Sequence, residues 1–247
     1  MAHSARASSE PVIFLMGPTA AGKTALSLSL AQQLDAEIVS VDSALVYRGM
    51  DIGTAKPSAS ELALVPHHLI DICEPWEAYS AARFCQDALA AIDAIRCRGR
   101  RVLLVGGTML YFKALDEGLA RLPEGNDEIR KALISEAASL GWAALHQQLC
   151  RVDPLAGLRI HPNDPQRIQR ALEVYRISGV PMSQLQAATR SPLDHAPLKF
   201  ALVPEDRGWL HRRIERRLHH MVEQGFIGEM QQLRRNPLTH SQLPAMR

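Results

Sequence analysis

The chain has 247 residues, of which 47% are hydrophobic and 22% are charged, and its formal net charge is +2. This composition is typical of a globular protein with one large domain, or one domain with an inserted smaller one. It excludes disordered, collagen-like and membrane-bundle chains. The basic excess lies at the C-terminal end, because residues 196–247 carry 9 Lys and Arg against 5 Asp and Glu.

The first half of the chain alternates short apolar runs with helical patterns. Residues 1–11 are small and polar and are expected to form a disordered tail. The apolar run that follows is too short for a signal peptide or a membrane span, so we expect a cytoplasmic protein. The predicted elements are buried strands at 12–16, 37–41 and 101–105 and helices at 25–34 and 80–98. This alternation predicts an α/β fold with a parallel sheet.

The pattern changes after Gly118. Helices broken by prolines are predicted at 127–140, 142–152 and 165–178, followed by a strand at 199–203 and a basic helix at 207–224. We therefore expect a P-loop NTPase-like core at 12–118 and 196–247, and an all-helical insertion at 119–195. The four cysteines have no CxxC spacing and no completing His cluster, so buried reduced thiols are expected rather than zinc ligands.

Residues 17–24, GPTAAGKT, match the phosphate-binding loop G-x-x-x-x-G-K-[ST] between a strand and a helix. Glycines let successive N–H groups turn toward a di- or triphosphate such as ATP, and the helix N-terminus adds a favourable dipole. Lys23 supplies a positive charge and Thr24 a hydroxyl for Mg²⁺. The candidate binding residues are Gly17, Pro18, Thr19, Ala20, Ala21, Gly22, Lys23 and Thr24.

The acid that holds the metal in ordinary P-loop NTPases is missing. The third strand ends in Gly106, Gly107 and Thr108, and the guanine-reading N-K-x-D string is also lacking. Asp42 is the only carboxylate at a predicted strand end, where open α/β sheets place their ligand chemistry. Its position alone leaves three roles open: general base, metal ligand through water, or N-cap.

Four ordered motifs carry a family resemblance. They are the loop at 17–24, DSALVYRGMDIGTAKP at 42–57, GGTMLY at 106–111 and DPQRIQRALEVY at 164–175. Together they resemble the tRNA dimethylallyltransferase (tRNA isopentenyltransferase) family from about Val12 to the last residue. In that family the pattern continues beyond the position of Arg247, so the chain is expected to be truncated.

The resemblance implies an unusual use of the phosphate loop. It would hold the diphosphate of dimethylallyl diphosphate as a leaving group, while the prenyl group passes to N6 of the adenine 3′ to the anticodon. Stabilising that diphosphate would be the task of Lys23, the loop N–H groups and Mg²⁺ on Thr24. Asp42 would be the general base.

Further roles follow from the same resemblance. Thr108 would touch the flipped base or the diphosphate, or it caps the next helix. Arg217 would bind the diphosphate, or it belongs to a solvated basic face; Leu218 and His219 depart from the family's Val-Asp at this point. The residues expected to contact the tRNA anticodon stem-loop are Asp42, Ser43, Ala44, Leu45, Thr108, Arg130, Gln166, Arg167, Ile168, Gln169 and Arg170.

Two other functions share parts of this pattern. A small-molecule or nucleotide kinase would use the loop with the helical insertion as a lid, and it needs turnover of ATP. A regulatory nucleic-acid-binding NTPase would need an acid on the third strand. One tRNA engaging one pocket is compatible with a monomer. Surface salt bridges, for instance with Glu173, remain the alternative for Arg167 and Arg170.

Overall fold

The computed structural model describes residues 10–120, 122–187, 189–240, 243 and 245. All but two residues of the expected tail at 1–11 lie outside this description. The chain forms two compact units: the described parts of Met1–Asp116 and Ser191–Arg247 make the first, and Glu117–Arg190 makes the second. The sequence placed these boundaries at 119 and 195.

A five-stranded parallel sheet forms the centre of the first unit, with strand order β3-β2-β4-β1-β5. The strands are β1 (Ile13–Met16), β2 (Ala36–Val41), β3 (His67–His68), β4 (Arg101–Gly106) and β5 (Leu198–Ala201). The predicted α/β class with a parallel sheet is confirmed. The sequence missed β3, because a strand of two residues is too short to show the alternation on which strand prediction depends.

Helices surround this sheet. They are α1 (Lys23–Leu34), α2 (Ala59–Leu64), α3 (Ala81–Cys97), α4 (Met109–Glu117), α10 (Arg207–Glu223) and α11 (Phe226–Arg235). Ser80 caps α3 by accepting the Arg83 N–H, and Phe84, Ile92 and Ile95 bury its apolar face against the sheet. Since β2 and β4 are buried on both faces, their near-continuous apolar sequence is explained.

The second unit is helical throughout its described residues. It consists of α5 (Asp127–Leu140), α6 (Trp142–Val152), α7 (Pro154–Arg159), α8 (Pro165–Ser178) and α9 (Met182–Ala187). Leu133, Leu145, Leu149, Ile168 and Leu172 form its own core. The unit therefore has the separate hydrophobic interior that a domain requires.

The cysteines are all free thiols, and only Cys73 is fully buried. Cys97 and Cys150 are exposed, so the expectation of buried thiols is wrong for these two. Among the described residues, no helix has the length and apolar character that crossing a lipid bilayer requires.

Candidate active site

Three loops leave the sheet at the same level. Gly106 at the end of β4 pairs with Met16 of β1 on one side and with Val41 of β2 on the other. The next residues along each chain segment are Gly17, Asp42 and Gly107. The strand register thus brings the phosphate loop, the strand-terminal carboxylate and the double glycine to one edge, which is where parallel sheets bind ligands.

Gly106 and Gly107 lie close to the backbones of neighbouring segments. A Cβ on Gly106 would lie 1.9 Å from the Val41 carbonyl oxygen, so no side chain fits there. A Cβ on Gly107 would lie 3.3 Å from the Gly17 carbonyl oxygen and 3.9 Å from Lys23 Nζ. The backbone of β2 therefore excludes any side chain at position 106, and the phosphate loop leaves little room beside position 107.

The phosphate loop is held by its own lysine and by an arginine of α10. Lys23 Nζ donates to the carbonyls of Gly17 and Pro18 at 2.7 and 2.8 Å. Arg213 Nε donates to the carbonyl of Ala20 at 2.8 Å, while its guanidinium lies 4.7 Å from the centre of the Trp209 ring. Because Ala20 has a φ of 63°, which L-residues adopt at some cost, this bond stabilises the least favourable point of the loop.

Asp42 organises the turn that follows β2. One carboxylate oxygen accepts the N–H groups of Ala44 and Leu45 at 2.8 and 3.4 Å. Ser43 N donates to Thr108 Oγ1 at 3.0 Å, which joins this turn to the double-glycine segment. Asp42 therefore caps backbone N–H groups, which is one of the three roles that its position left open, but it caps a turn rather than a helix. These bonds involve only one of its two carboxylate oxygens.

Thr108 also occupies the start of α4. Its carbonyl accepts the N–H groups of Tyr111 and Phe112 at 2.9 and 3.4 Å, as an N-cap residue's does. Its hydroxyl bonds to Ser43. The backbone of Thr108 therefore begins the helix, as the capping alternative expects, and its side chain bonds to the Asp42 turn; its contact with the base or the diphosphate stays a prediction.

Arg217 lies with Lys23 and Asp42 rather than on a solvated face. It is partly buried, and its Nη2 donates to the Thr54 carbonyl at 3.2 Å. Burial lowers the pKa of Arg217, and the charge of Asp42 opposes that change. Burial also lowers the pKa of Lys23, against the charge of Asp42 and together with that of Arg217. The bonds from Arg213 to Ala20 and from Arg217 to Thr54 place this face of α10 against the phosphate loop and the loop at 51–54.

Tyr111 of α4 lies in the hydrophobic core of the sheet unit. It is 4% exposed and stacks on Phe84 with ring centres 4.2 Å apart. Burial, with the nearby charges of Tyr47 and Asp42, raises its pKa to about 12. The phenol is therefore neutral at ordinary pH.

In the second unit, two of the candidate tRNA-binding arginines pair with a buried carboxylate. Glu173 is 1% exposed and bonds Arg130 Nε at 2.8 Å, Arg170 Nη1 at 2.6 Å and the Asn126 N–H at 2.8 Å. Gln169 Nε2 donates to the Arg130 carbonyl at 3.2 Å. Although burial opposes ionisation, the bonds from Arg170 and Asn126 and the charges of both arginines lower the pKa of Glu173.

The remaining candidates of α8 differ in exposure. Arg167 keeps 75% of its side chain exposed, with Nη1 3.3 Å from the helix-capping Asp164. Gln166 is exposed as well, so both side chains can reach a ligand. Ile168 is completely buried in the helical core, and its side chain therefore cannot contact a tRNA.

The donor set suits Mg²⁺ only with help from a phosphate. Thr24 is exposed in the first turn of α1, and Asp42 is the carboxylate at the same sheet edge. Among the described residues, no three His, Cys, Asp or Glu side chains form a metal-binding group. This fits Mg²⁺, which is commonly held by one or two protein oxygens together with substrate phosphates and water.

Sequence reasoning missed two residues that shape the site. Arg213 lies four positions before Arg217 on α10, so helical spacing would have placed both on one face. Glu229 of α11 accepts the N–H groups of Asp51, Ile52 and Gly53. No sequence signal identifies that contact, because its partners are backbone groups some 176–178 positions away.

A family model and a related protein match this chain over most of its length. The model of the family described as "IPP transferase" matches residues 45–247. A tRNA dimethylallyltransferase from Alkalilimnicola ehrlichii is 59% identical over 248 residues, covering 100% of this chain and 78% of that protein.

Solved structures agree with these matches. The crystal structure of the full-length tRNA isopentenylpyrophosphate transferase from Bacillus halodurans has a TM-score of 0.63 at 39% identity, covering 96% of this chain and 73% of that one. A eukaryotic dimethylallyltransferase acting on tRNA has a TM-score of 0.71 at 29% identity, covering 92% of this chain and 56% of the other. The chain therefore belongs to the IPP transferase family, the family of the tRNA dimethylallyltransferases, and is an enzyme of the prenyltransferase class.

Proposed function

We propose that this enzyme transfers the dimethylallyl group of dimethylallyl diphosphate to N6 of the adenine 3′ to the anticodon in tRNA. The carbon–oxygen bond of the diphosphate ester breaks, a carbon–nitrogen bond forms, and the amine loses one proton. The observation that carries this proposal is geometric: the strand register brings the loop of Lys23 and the carboxylate of Asp42 to one edge of the sheet. The bond from Arg213 to Ala20 holds α10, which also carries Arg217, against that loop. Two cations suit a departing diphosphate, and a carboxylate beside them suits the departing proton.

Departure of the diphosphate is the step that the loop favours. Diphosphate leaves an allylic carbon readily because the positive charge that develops on the carbon is delocalised, so stabilising the negative charge on the diphosphate lowers the barrier further. Lys23, the N–H groups of residues 17 and 19–24 and Arg217 would stabilise that charge. Mg²⁺, held by Thr24 and the diphosphate oxygens, would supply further charge neutralisation when bound.

Asp42 acts on the incoming amine. The exocyclic amine of adenine is a weak nucleophile, because its lone pair is delocalised into the ring. A carboxylate within hydrogen-bonding distance removes the proton as the new bond forms. The Ala44 and Leu45 N–H groups bind one oxygen of Asp42 and fix its orientation, so the other oxygen serves as the base.

The tRNA has to present a single unstacked base to this edge of the sheet. Extruding a base costs a few kcal/mol, and less in a single-stranded loop. We propose that Ser43, Leu45 and Thr108 receive the base, and that exposed groups of the helical unit such as Arg167 bind the anticodon arm. Backbone and shape recognition of this kind needs no strongly positive net charge. The enzyme is proposed to act as a cytoplasmic monomer.

A direct assay tests this function. The full chain is incubated with prenyl-labelled dimethylallyl diphosphate, Mg²⁺ and an unmodified tRNA that carries adenine 3′ to the anticodon. Label is expected in that adenine, and a tRNA identical except for guanine at the same position is expected to remain unlabelled. Equal labelling of both tRNAs would contradict the assigned acceptor, and labelling of neither would contradict prenyl transfer.

A further inference from the structure

Three consecutive backbone N–H groups of the first unit converge on one carboxylate. Asp51 N and Ile52 N donate to Glu229 Oε2 at 2.8 and 2.7 Å, and Gly53 N donates to Oε1 at 3.0 Å. Successive N–H groups turned to one side form an anion-binding nest, and an ionised acceptor makes such bonds short and strong. The nest of residues 51–53 is thus occupied by a side chain of α11.

A packing contact adds to this attachment. A Cβ on Gly53 would lie 2.3 Å from a ring carbon of Phe226, the first residue of α11. Only glycine lets that ring lie directly against the loop. Since Phe226 and Glu229 are three positions apart, they share one face of α11, and that face is fixed to residues 51–53.

The loop itself is anchored from its other side. Lys56 keeps only 6% of its side chain exposed, and its Nζ donates to the Tyr47 carbonyl at 2.7 Å, Asp51 Oδ1 at 2.6 Å and Asp71 Oδ1 at 2.5 Å. Residues 51–56 are therefore held in place without Glu229. What Glu229 determines is the placement of its own helix.

The helix placed in this way is connected to Arg217. Only Gln224 and Gly225 separate α10 from α11, and Gly225 has a φ of 100°. Arg217 of α10 donates to the carbonyl of Thr54, the residue that directly follows the nest. One short loop thus receives both Glu229 and Arg217.

We propose that Glu229 is a positioning residue for the transfer reaction: by filling the nest it holds α10 and α11 on residues 51–54, and so directs the Arg217 guanidinium toward the diphosphate. This inference rests on the proposed function in one respect, which is that Arg217 binds the diphosphate. Glu229 itself touches neither substrate.

A double-mutant cycle tests this connection in the full chain. Binding of inorganic diphosphate with Mg²⁺ is measured by calorimetry for the wild type, E229Q, R217Q and the double variant. E229Q is expected to weaken binding about tenfold when Arg217 is present, and less than about twofold when it is replaced, because contacting networks are non-additive. E229D keeps the charge and is expected to retain part of the affinity.

Controls separate positioning from folding. E223Q makes the same change of charge at an exposed position of α10 and is expected to leave the affinity unchanged. Thermal unfolding of each variant shows whether it is folded, and the E229D cycle remains readable where E229Q does not fold. Equal effects of E229Q with and without Arg217 would overturn the proposal while leaving the proposed function intact.

Diphosphate binding by R217Q alone provides a second test of the proposal. Unchanged affinity in R217Q alone would show that Arg217 does not bind the diphosphate, so Glu229 could not act through it. Absence of labelled adenine in the transfer assay with the wild type would instead contradict the proposed function, independently of the binding cycle.

Discussion

The two units use their charged residues in opposite ways. In the sheet unit, Lys23, Arg213 and Arg217 donate to backbone carbonyls, and their positive charges stay together at one edge. In the helical unit, Arg130 and Arg170 are neutralised by the buried Glu173. The first arrangement leaves charge available for a ligand, whereas the second uses charge to hold a domain together.

This difference between the two sets of charged residues predicts that similar substitutions have different effects in the two units. Carbonyl groups orient a cation without cancelling its charge, so changes at Lys23, Arg213 and Arg217 should affect catalysis more than folding. In the helical unit, removing one partner of the buried carboxylate–arginine cluster leaves uncompensated charge and so destabilises the fold. The same type of residue should therefore report on turnover in one unit and on stability in the other.

The largest expected effect is at Asp42. D42N keeps the size of the side chain but removes the base, so kcat should fall about 10²–10⁴-fold while tRNA affinity is largely retained. The measurement is single-turnover transfer together with tRNA binding. D35N is the matched control, because Asp35 flanks the opposite end of β2 and pairs with Arg100. An equal loss of tRNA affinity in D42N would argue against the role of base.

The second-largest effect is expected in the helical unit, at Glu173. E173Q should lower the free energy of unfolding by about 3 kcal/mol, the lower end for a broken buried pair, because both arginines retain access to solvent. E136Q should cost less than about 1 kcal/mol, since the Glu136–Arg176 pair lies at the surface. Urea unfolding of both variants measures the difference. Equal costs would refute the distinction between the two carboxylates.

Glu173 also gives the stability a pH dependence of known sign. Its folded pKa lies below the ordinary 4.5, so its contribution is complete above that value. The contribution is lost as pH falls through the folded pKa, because the unfolded chain then binds the proton more readily. Unfolding free energies from pH 7 downward should therefore fall more steeply in the wild type than in E173Q, and parallel curves would contradict the shift.

The smallest effect is expected at Arg167. R167A should leave unfolding and diphosphate binding unchanged, while the slope of log affinity for tRNA against log salt falls by about 1. R170A, one turn along α8, should instead destabilise the unit through Glu173. Unfolding curves and tRNA binding at several salt concentrations distinguish the two arginines. Destabilisation by R167A would place it in the buried network.

Sequence patterns predicted the parts of the molecule that depend on local order. The phosphate loop, the helix that begins after Ser80 and the carboxylate at the end of β2 could all be read from neighbouring residues. The Glu173 cluster could be predicted only in part. The spacing of three residues indicates the Arg170–Glu173 pair, which is buried rather than at the surface. The Arg130 pairing could not be predicted, since it joins positions 43 apart. Ile168 shows the same limit: it directly follows the exposed Arg167 but faces the core.

The central claim is that this phosphate loop holds a leaving group rather than a phosphoryl donor. One reaction tests it directly, with prenyl-labelled dimethylallyl diphosphate, γ-labelled ATP, Mg²⁺ and unmodified tRNA in the same vessel. The predicted result is prenyl label in the tRNA, one diphosphate released for each prenyl group transferred, and γ-phosphate still on ATP. Loss of the γ-phosphate without any prenyl label in the tRNA would contradict the account.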